Sequence, residues 1–140
     1  MRFKFFPNVH FFDPGKSSPK DEMGDVGKEI KELSKHRPDL FLRVKCFLNV
    51  LSNVLDLKPF LQNEQIYKFP KEYDGLYEMR IPKQARGGVF RIYFCMAMFE
   101  LNTLILLSAE LKHKKEPMKL STAFAKLKQY RELVKQGMMQ

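Results

Sequence analysis

Cysteine is scarce in this chain. The two cysteines, Cys46 and Cys95, each lie within an apolar segment, without CxxC spacing and without a partner histidine. This pattern argues against a disulfide framework and against a zinc site. We therefore expect both to be reduced residues of the core.

Long uninterrupted apolar runs are also missing. The longest apolar stretch, residues 89–109, contains Arg91, Glu100 and Asn102, which makes it too polar to span a membrane. The first twelve residues are aromatic but are interrupted by lysine, proline and histidine, so they do not form the apolar region of a signal peptide. We expect a cytoplasmic protein with no membrane partner.

Acidic residues are few relative to basic ones. The 140-residue chain has 25 Lys and Arg against 16 Asp and Glu, a formal net charge of +9. Most of the excess lies in residues 76–140, which hold 12 basic and 5 acidic side chains. This charge predicts a polyanionic partner, and the length and 44% hydrophobic content suit one ordinary domain covering residues 1–140.

The first half of the chain predicts a strand followed by two helices. Residues 2–12 contain five Phe and one Val, as in a β-strand, and residues 13–20 have the composition of a loop. Apolar residues at helical spacing predict an amphipathic helix over 21–36 and a second helix from Asp39 to about Pro59. We expect the two helices to pack as a hairpin.

The second half predicts a small sheet and a last helix. Residues 57–75 read mostly as a connector, with a short edge strand over 66–69. β-type segments follow at 76–82, 89–98 and 103–111, and their short connections predict an antiparallel meander. Pro117 suits the first turn of a final helix that runs to about Lys135. The predicted fold class is α+β, with an N-terminal strand and helix hairpin packed on a mainly antiparallel sheet.

The segment LYEMRIPKQARGGVFRIY, residues 76–93, carries one arginine in each of two strands. A third strand, containing the apolar residues 104–107, leads into the basic cluster KHKK at residues 112–115, followed by Pro117 and the final helix. This ordered combination resembles the RelE/ParE superfamily of toxin–antitoxin proteins, and most closely its HigB-like branch. The motif covers residues 76–131, while the order of elements matches over nearly the whole chain.

The resemblance implies a small RelE-like fold and the toxin of a type II toxin–antitoxin system. Such a toxin is a ribosome-dependent endoribonuclease that cleaves mRNA by attack of a 2′-hydroxyl on the neighbouring phosphate, with no metal or other cofactor. Its implied partners are a cognate antitoxin protein, mRNA on the ribosome, and ribosomal RNA.

Arg91 and Arg80 are the first candidates for the catalytic site. An arginine fork can hold two phosphate oxygens at once. If the turn between the strands spans residues 84–87, positions 80 and 91 lie opposite each other on one face, whereas a shift by one residue would separate them. The alternative interpretation is that both arginines are solvent-facing residues paired with Glu78 or Glu110.

The basic cluster supplies the other catalytic candidates. His113 lies among lysines, which favour its neutral form, so it is a candidate general base or acid. Lys112 and Lys114 are candidates for stabilising the transition state. The candidates for contacting nucleic acid are Lys115, Lys83, Arg86, Lys119 and Tyr93, the last by stacking on a base. A buried Tyr93 fits the sequence equally well.

Two other functions fit the sequence. One is a ParE-like protein that inhibits DNA gyrase without cleaving RNA. The other is a basic nucleic-acid-binding module that has no catalytic groups. Residues 118–124 lack the tyrosine that some family members carry there, and Glu116 stands where relatives have a helix-capping threonine; both features favour the module.

Overall fold

A computed structural model of the chain describes residues 1–6, 24–83, 86–112 and 119–137, and it has an α+β architecture. The strands are β1 (Arg2–Phe5), β2 (Ile66–Lys68), β3 (Tyr77–Ile81), β4 (Val89–Met96) and β5 (Thr103–Lys112). The helices are α1 (Gly24–His36), α2 (Pro38–Ser52), α3 (Lys58–Gln62) and α4 (Leu120–Lys135), and a short 3₁₀ turn spans Lys71–Tyr73.

The five strands form one sheet in the order β1-β5-β4-β3-β2. β1 pairs parallel with β5, and the other neighbours are antiparallel. The predicted meander of β3, β4 and β5 is therefore confirmed, as is the short edge strand β2. Apolar residues make up most of β3, β4 and β5, in keeping with a sheet covered by helices.

Both faces of the sheet are covered. The first core lies between one face and helices α1 and α2; its members include Phe3, Phe5, Ile30, Val44, Leu48, Leu51, Phe90, Ile92 and Phe94. The second core lies between the other face and α4; its members include Leu76, Tyr93, Cys95, Ile105, Leu107, Leu127 and Tyr130. β5 lies next to both cores, and all residues of 103–110 are buried.

The predicted helix hairpin is present, but the second helix was predicted too long. α2 ends at Ser52, and α3 begins only at Lys58, where the Asp56 carboxylate accepts the Lys58 backbone N–H at 2.9 Å. Leu55 falls within the helix predicted to about Pro59, yet it is among the most exposed apolar residues that the structure describes. The N-cap residue of α3 is Leu57, and the hydrogen bond from Lys58 to the Asp56 side chain forms an Asx turn that separates the two helical segments.

Two smaller predictions also need correction. Cys46 lies on the exposed side of α2 rather than in the core, whereas Cys95 is buried and burial raises the pKa of its thiol to about 12. β1 ends at Phe5, and the rest of the strand predicted over residues 2–12 is mainly outside the described residues. The loop predicted at 13–20 and Pro117 also lie outside them. None of the described helices combines the length and apolar character needed to cross a bilayer.

We predict that a valine-to-alanine substitution in α2 destabilises the protein at a buried position and not at an exposed one. Val44 is fully buried and Val50 is half exposed on the same helix. Val44→Ala should lower the free energy of unfolding by about 1 to 2 kcal/mol, because it removes two buried methyl groups and leaves a cavity. Val50→Ala should change it by less than about 0.5 kcal/mol. Urea unfolding of both variants tests this, and equal losses would contradict the assignment of the core.

Candidate nucleic-acid interface

Arg80 of β3 and Arg91 of β4 lie directly opposite each other in the sheet. This is the register expected for a turn over residues 84–87, and it puts both side chains on the face covered by α4. Glu78 and Tyr93 form the next pair on that face, because side chains alternate along a strand. On the far side of β4, Arg91 is opposite Glu110 of β5.

Glu78 joins the two arginines. Its carboxylate is almost completely buried and accepts a hydrogen bond from Nε of Arg80 at 2.7 Å. Nη1 of Arg91 lies 3.5 Å from the same oxygen atom. The ion pairs of the alternative interpretation therefore exist. The arginines are not fully solvent-facing, however, since the side chain of Arg80 is 31% exposed and that of Arg91 is 14% exposed. We call Glu78, Arg80 and Arg91 the arginine site.

The arginine site has spare hydrogen-bonding capacity. A guanidinium has five N–H donors. Nε of Arg91 is buried with no hydrogen-bond partner, and the terminal nitrogens of Arg80 make no hydrogen bond within the described residues. A buried donor without a partner costs about 1 to 3 kcal/mol, so the site is not arranged for stability alone. An incoming group with acceptor oxygens would match the terminal donors of Arg80, which is the more exposed of the two arginines.

Glu110 organises the neighbouring part of the sheet. Its carboxylate accepts hydrogen bonds from the Tyr93 hydroxyl at 2.9 Å and from the backbone N–H of Lys119 at 2.8 Å. Lys119 is the N-cap residue of α4 and provides no side-chain cap, so the carboxylate of Glu110 stabilises the start of that helix. The ammonium group of Lys112 lies 3.9 Å from Glu110, and its side chain is only 5% exposed.

Tyr93 is not a base-stacking residue. Its ring is fully buried beside Phe69 and under α4, and its hydroxyl is committed to Glu110. Burial and the charges of Glu78 and Glu110 raise the pKa of Tyr93 far above its ordinary value. The prediction of a contact with a base is therefore wrong, because α4 and its neighbours cover this part of the face.

Lys119 ties α4 to α1. Its ammonium group lies 3.1 Å from Glu29 and 3.3 Å from Asp25, which also accepts a hydrogen bond from Ser108. Burial alone would raise the pKa of Asp25, but the Ser108 hydrogen bond and the charges of Lys126 and Lys119 lower it below its ordinary value. Burial alone would lower the pKa of Lys119, but its carboxylate partners raise it. About a third of the Lys119 side chain remains exposed.

The remaining predicted residues lie at the turn before β4 or outside the described residues. Lys83 and Arg86 are both exposed. Arg37 donates a hydrogen bond to the backbone oxygen of Gly87 at 2.7 Å, which fixes this turn against the junction of α1 and α2. His113, Lys114 and Lys115 fall outside the part of the chain that the structure describes.

Sequence reasoning left the carboxylates Glu78 and Glu110 as optional ion-pair partners and did not single out Asp25 or Tyr67. The position of Glu78 beside Arg80 could be predicted from the sequence, because residues 78 and 80 of one strand lie on the same face. The link from Glu110 to α4 had no sequence signal, since it depends on where α4 packs.

We predict that Tyr93→Phe destabilises the protein by about 1 to 3 kcal/mol, because a buried carboxylate loses one of its donors. Tyr73→Phe is the matched control, because the Tyr73 hydroxyl makes no hydrogen bond within the described residues and its ring packs against Phe69 and Phe124. Urea unfolding of both variants measures the difference. A loss below about 0.5 kcal/mol for Tyr93→Phe would contradict the role given to Glu110.

We also predict that Asp25→Asn weakens the acid dependence of stability. The folded-state pKa of Asp25 is lowered, so its stabilising effect is complete above the ordinary aspartate pKa of about 3.9 and is lost as the pH falls through the folded-state value. The slope of stability against pH below about pH 4 should therefore be smaller in Asp25→Asn than in the wild type. Asp74→Asn, an exposed position, is the control. Thermal unfolding from pH 2 to 7 measures both, and an unchanged acid slope in Asp25→Asn would refute the prediction.

No protein-family model, curated protein or solved structure matches this chain. The function of the interface must therefore be argued from its own geometry. That geometry is a pair of facing arginines, partly neutralised by one buried carboxylate, beside further cations at the same end of the sheet.

Proposed function

We propose that this protein is a ribosome-dependent mRNA endoribonuclease of the RelE/HigB type and the toxin of a type II toxin–antitoxin system. The observation that carries the proposal is the facing pair Arg80 and Arg91, with most of their donors unused within the described residues. Two planar guanidinium groups at one place suit a phosphate whose negative charge grows during reaction. The resemblance of residues 76–131 to that family supplies the reaction.

The reaction is an internal transesterification. The 2′-oxygen of one nucleotide bonds to its own 3′-phosphorus as the bond from phosphorus to the 5′-oxygen breaks. A general base takes the proton of the 2′-hydroxyl, and a general acid gives a proton to the departing 5′-oxygen. The products are a 2′,3′-cyclic phosphate and a 5′-hydroxyl end, and no metal or cofactor takes part.

The described residues fit the charge-stabilising role best. Arg91 and Arg80 offset the charge of the phosphorane. Lys112 is buried beside Glu110, so it acts by its charge from within the protein. Tyr93, with its raised pKa and buried hydroxyl, does not serve as a base. We assign one of the two proton transfers to His113, as general base or general acid, with Lys114 adding positive charge.

The exposed cations supply the longer-range attraction. Lys83 and Arg86 at the turn before β4, together with the exposed part of Lys119, form a basic surface in this proposal. Lys115, which lies outside the described residues, is proposed to add to the attraction by its charge. Such a surface attracts mRNA and ribosomal RNA in a salt-dependent manner. The protein then acts in the cytoplasm, where ribosomes are, and an acidic cognate antitoxin silences it by covering the same charge.

A non-catalytic RNA-binding module is the second candidate. The observation that favours it is Glu78, which partly neutralises both arginines from a buried position. A site of this kind can hold a phosphate without driving its cleavage. A ParE-like inhibitor of DNA gyrase has no comparable support in the geometry.

We predict that Arg91→Ala abolishes ribosome-dependent cleavage while the fold persists. Loss of one charge-stabilising donor group should slow cleavage by about 100-fold or more. Arg80 still pairs with Glu78 in the variant, so the carboxylate keeps a partner. The matched control is Arg43→Ala, which removes the same charge from the exposed side of α2 and should leave cleavage unchanged.

The measurement is cleavage-site mapping on one mRNA with and without translating ribosomes, with end analysis of the products. The nuclease proposal requires cuts that depend on ribosomes, carry 5′-hydroxyl ends and vanish in Arg91→Ala. Binding of RNA without cuts would favour the module. If the protein neither cleaves nor binds RNA, the gyrase-inhibitor alternative should be tested next with a DNA supercoiling assay.

A further inference from the structure

Tyr67 is an exposed aromatic residue at the edge of the arginine site. It is the middle residue of β2 and pairs with Glu78 of β3, so it shares the face of Glu78 and Arg80. The guanidinium carbon of Arg80 lies over the Tyr67 ring, 5.2 Å from its centre. The residue is 39% exposed. A planar cation therefore lies over the face of an aromatic ring at the surface.

A partly buried neighbour, Phe69, packs against the ring of Tyr67. Phe69 packs perpendicular to it with the ring centres 5.0 Å apart. Phe69 in turn contacts Tyr73 and the fully buried Tyr93. Tyr67 is therefore the exposed end of a connected group of aromatic rings, and little side-chain freedom remains to be lost when a ligand binds.

Burial of Tyr93 leaves the arginine site with Tyr67 as its exposed aromatic side chain within the described residues. Proteins recognise single-stranded RNA by stacking unpaired bases on aromatic rings and arginine planes while cations contact the adjoining phosphates. Tyr67 and Arg80 provide the ring and the cation together. The terminal nitrogens of Arg80 make no hydrogen bond within the described residues, so their N–H groups can donate to a phosphate.

We propose that Tyr67 and Arg80 form a stacking subsite for one unpaired base of single-stranded RNA, with Arg80 contacting the adjoining phosphate. The inference deepens the proposed function and rests on it for the identity of the ligand. The stacking subsite can be tested apart from the nuclease activity, because it concerns the binding of a base and not the cleavage of a bond. Tyr67 is a binding residue in this scheme, and Arg91 remains the residue closest to the reaction.

The test compares two RNA probes that differ only in their bases. One is a fluorescently labelled single-stranded hexaribonucleotide, and the other is an abasic hexamer with the same phosphates. Fluorescence anisotropy at low salt measures the binding of both to the wild type, Tyr67→Leu and Tyr67→Phe. Phe99→Leu is the control, because it removes an exposed ring beyond the opposite end of β4. Thermal unfolding checks that each variant is folded.

We expect the wild type to bind the hexamer about tenfold more tightly than the abasic chain, which is typical of one base stacked on an aromatic ring. Tyr67→Leu should bind both probes with the affinity that the wild type shows for the abasic chain. Tyr67→Phe and Phe99→Leu should keep the preference, because each retains the ring at position 67. This pattern supports the stacking subsite.

Two results would overturn it. One is a wild type that does not prefer the hexamer. The other is a Tyr67→Leu variant that keeps the preference, whether its overall binding is unchanged or is weakened equally for both probes. Ribosome-dependent cleavage is scored separately. Cleavage without a base preference rejects the subsite and leaves the nuclease. A base preference that depends on Tyr67, without cleavage, rejects the nuclease and leaves the subsite.

Discussion

The burial of the Glu78 carboxylate between two guanidinium groups is the constraint on which this part of the protein depends. An ionised carboxylate inside a protein is tolerated only with charged and hydrogen-bonding partners. Arg80 and Arg91 can both reach it only in the observed register, because a slip by one residue would turn one arginine to the opposite face. The same charges that fix the register of β3 against β4 therefore also bring two arginines together at the surface of the sheet.

The hydrogen bonds of the second carboxylate, Glu110, explain where α4 begins relative to the two arginines. Glu110 accepts hydrogen bonds from Tyr93 and from the N-terminal end of α4 through the same carboxylate oxygen, so its role is largely structural. α4 covers Tyr93, while Arg80 is the more exposed of the two arginines. The site consists of the Glu78 carboxylate paired with two arginines on adjacent strands, with the terminal donors of Arg80 on its more exposed side. Rigid elements of this kind suit a binding site, because little reorganisation is needed when the ligand arrives.

Much of the sheet could be predicted from the sequence, while the limits of α2 and the exposure of the aromatic residues could not. Apolar β-type segments locate β3 to β5, but the pairing of Arg80 with Arg91 depended on the length of one turn, which the sequence left open. Tyr93 lies on the same face as Arg91, but whether a given part of that face is exposed depends on the path of α4. Tyr67 lies on a three-residue edge strand within the segment predicted mostly as a connector. Its contact with Arg80 could therefore not be predicted from the sequence.

The most direct test of the central claim is to observe the two guanidinium groups while RNA binds. The measurement is ¹H–¹⁵N NMR of the arginine Nε–H groups during titration with a single-stranded oligonucleotide made uncleavable by 2′-deoxy substitution. If Arg80 and Arg91 grip a phosphate, their resonances will shift and saturate together while that of the exposed Arg43 stays in place. If the oligonucleotide binds and only arginines outside the arginine site respond, the account of a phosphate held between β3 and β4 is wrong.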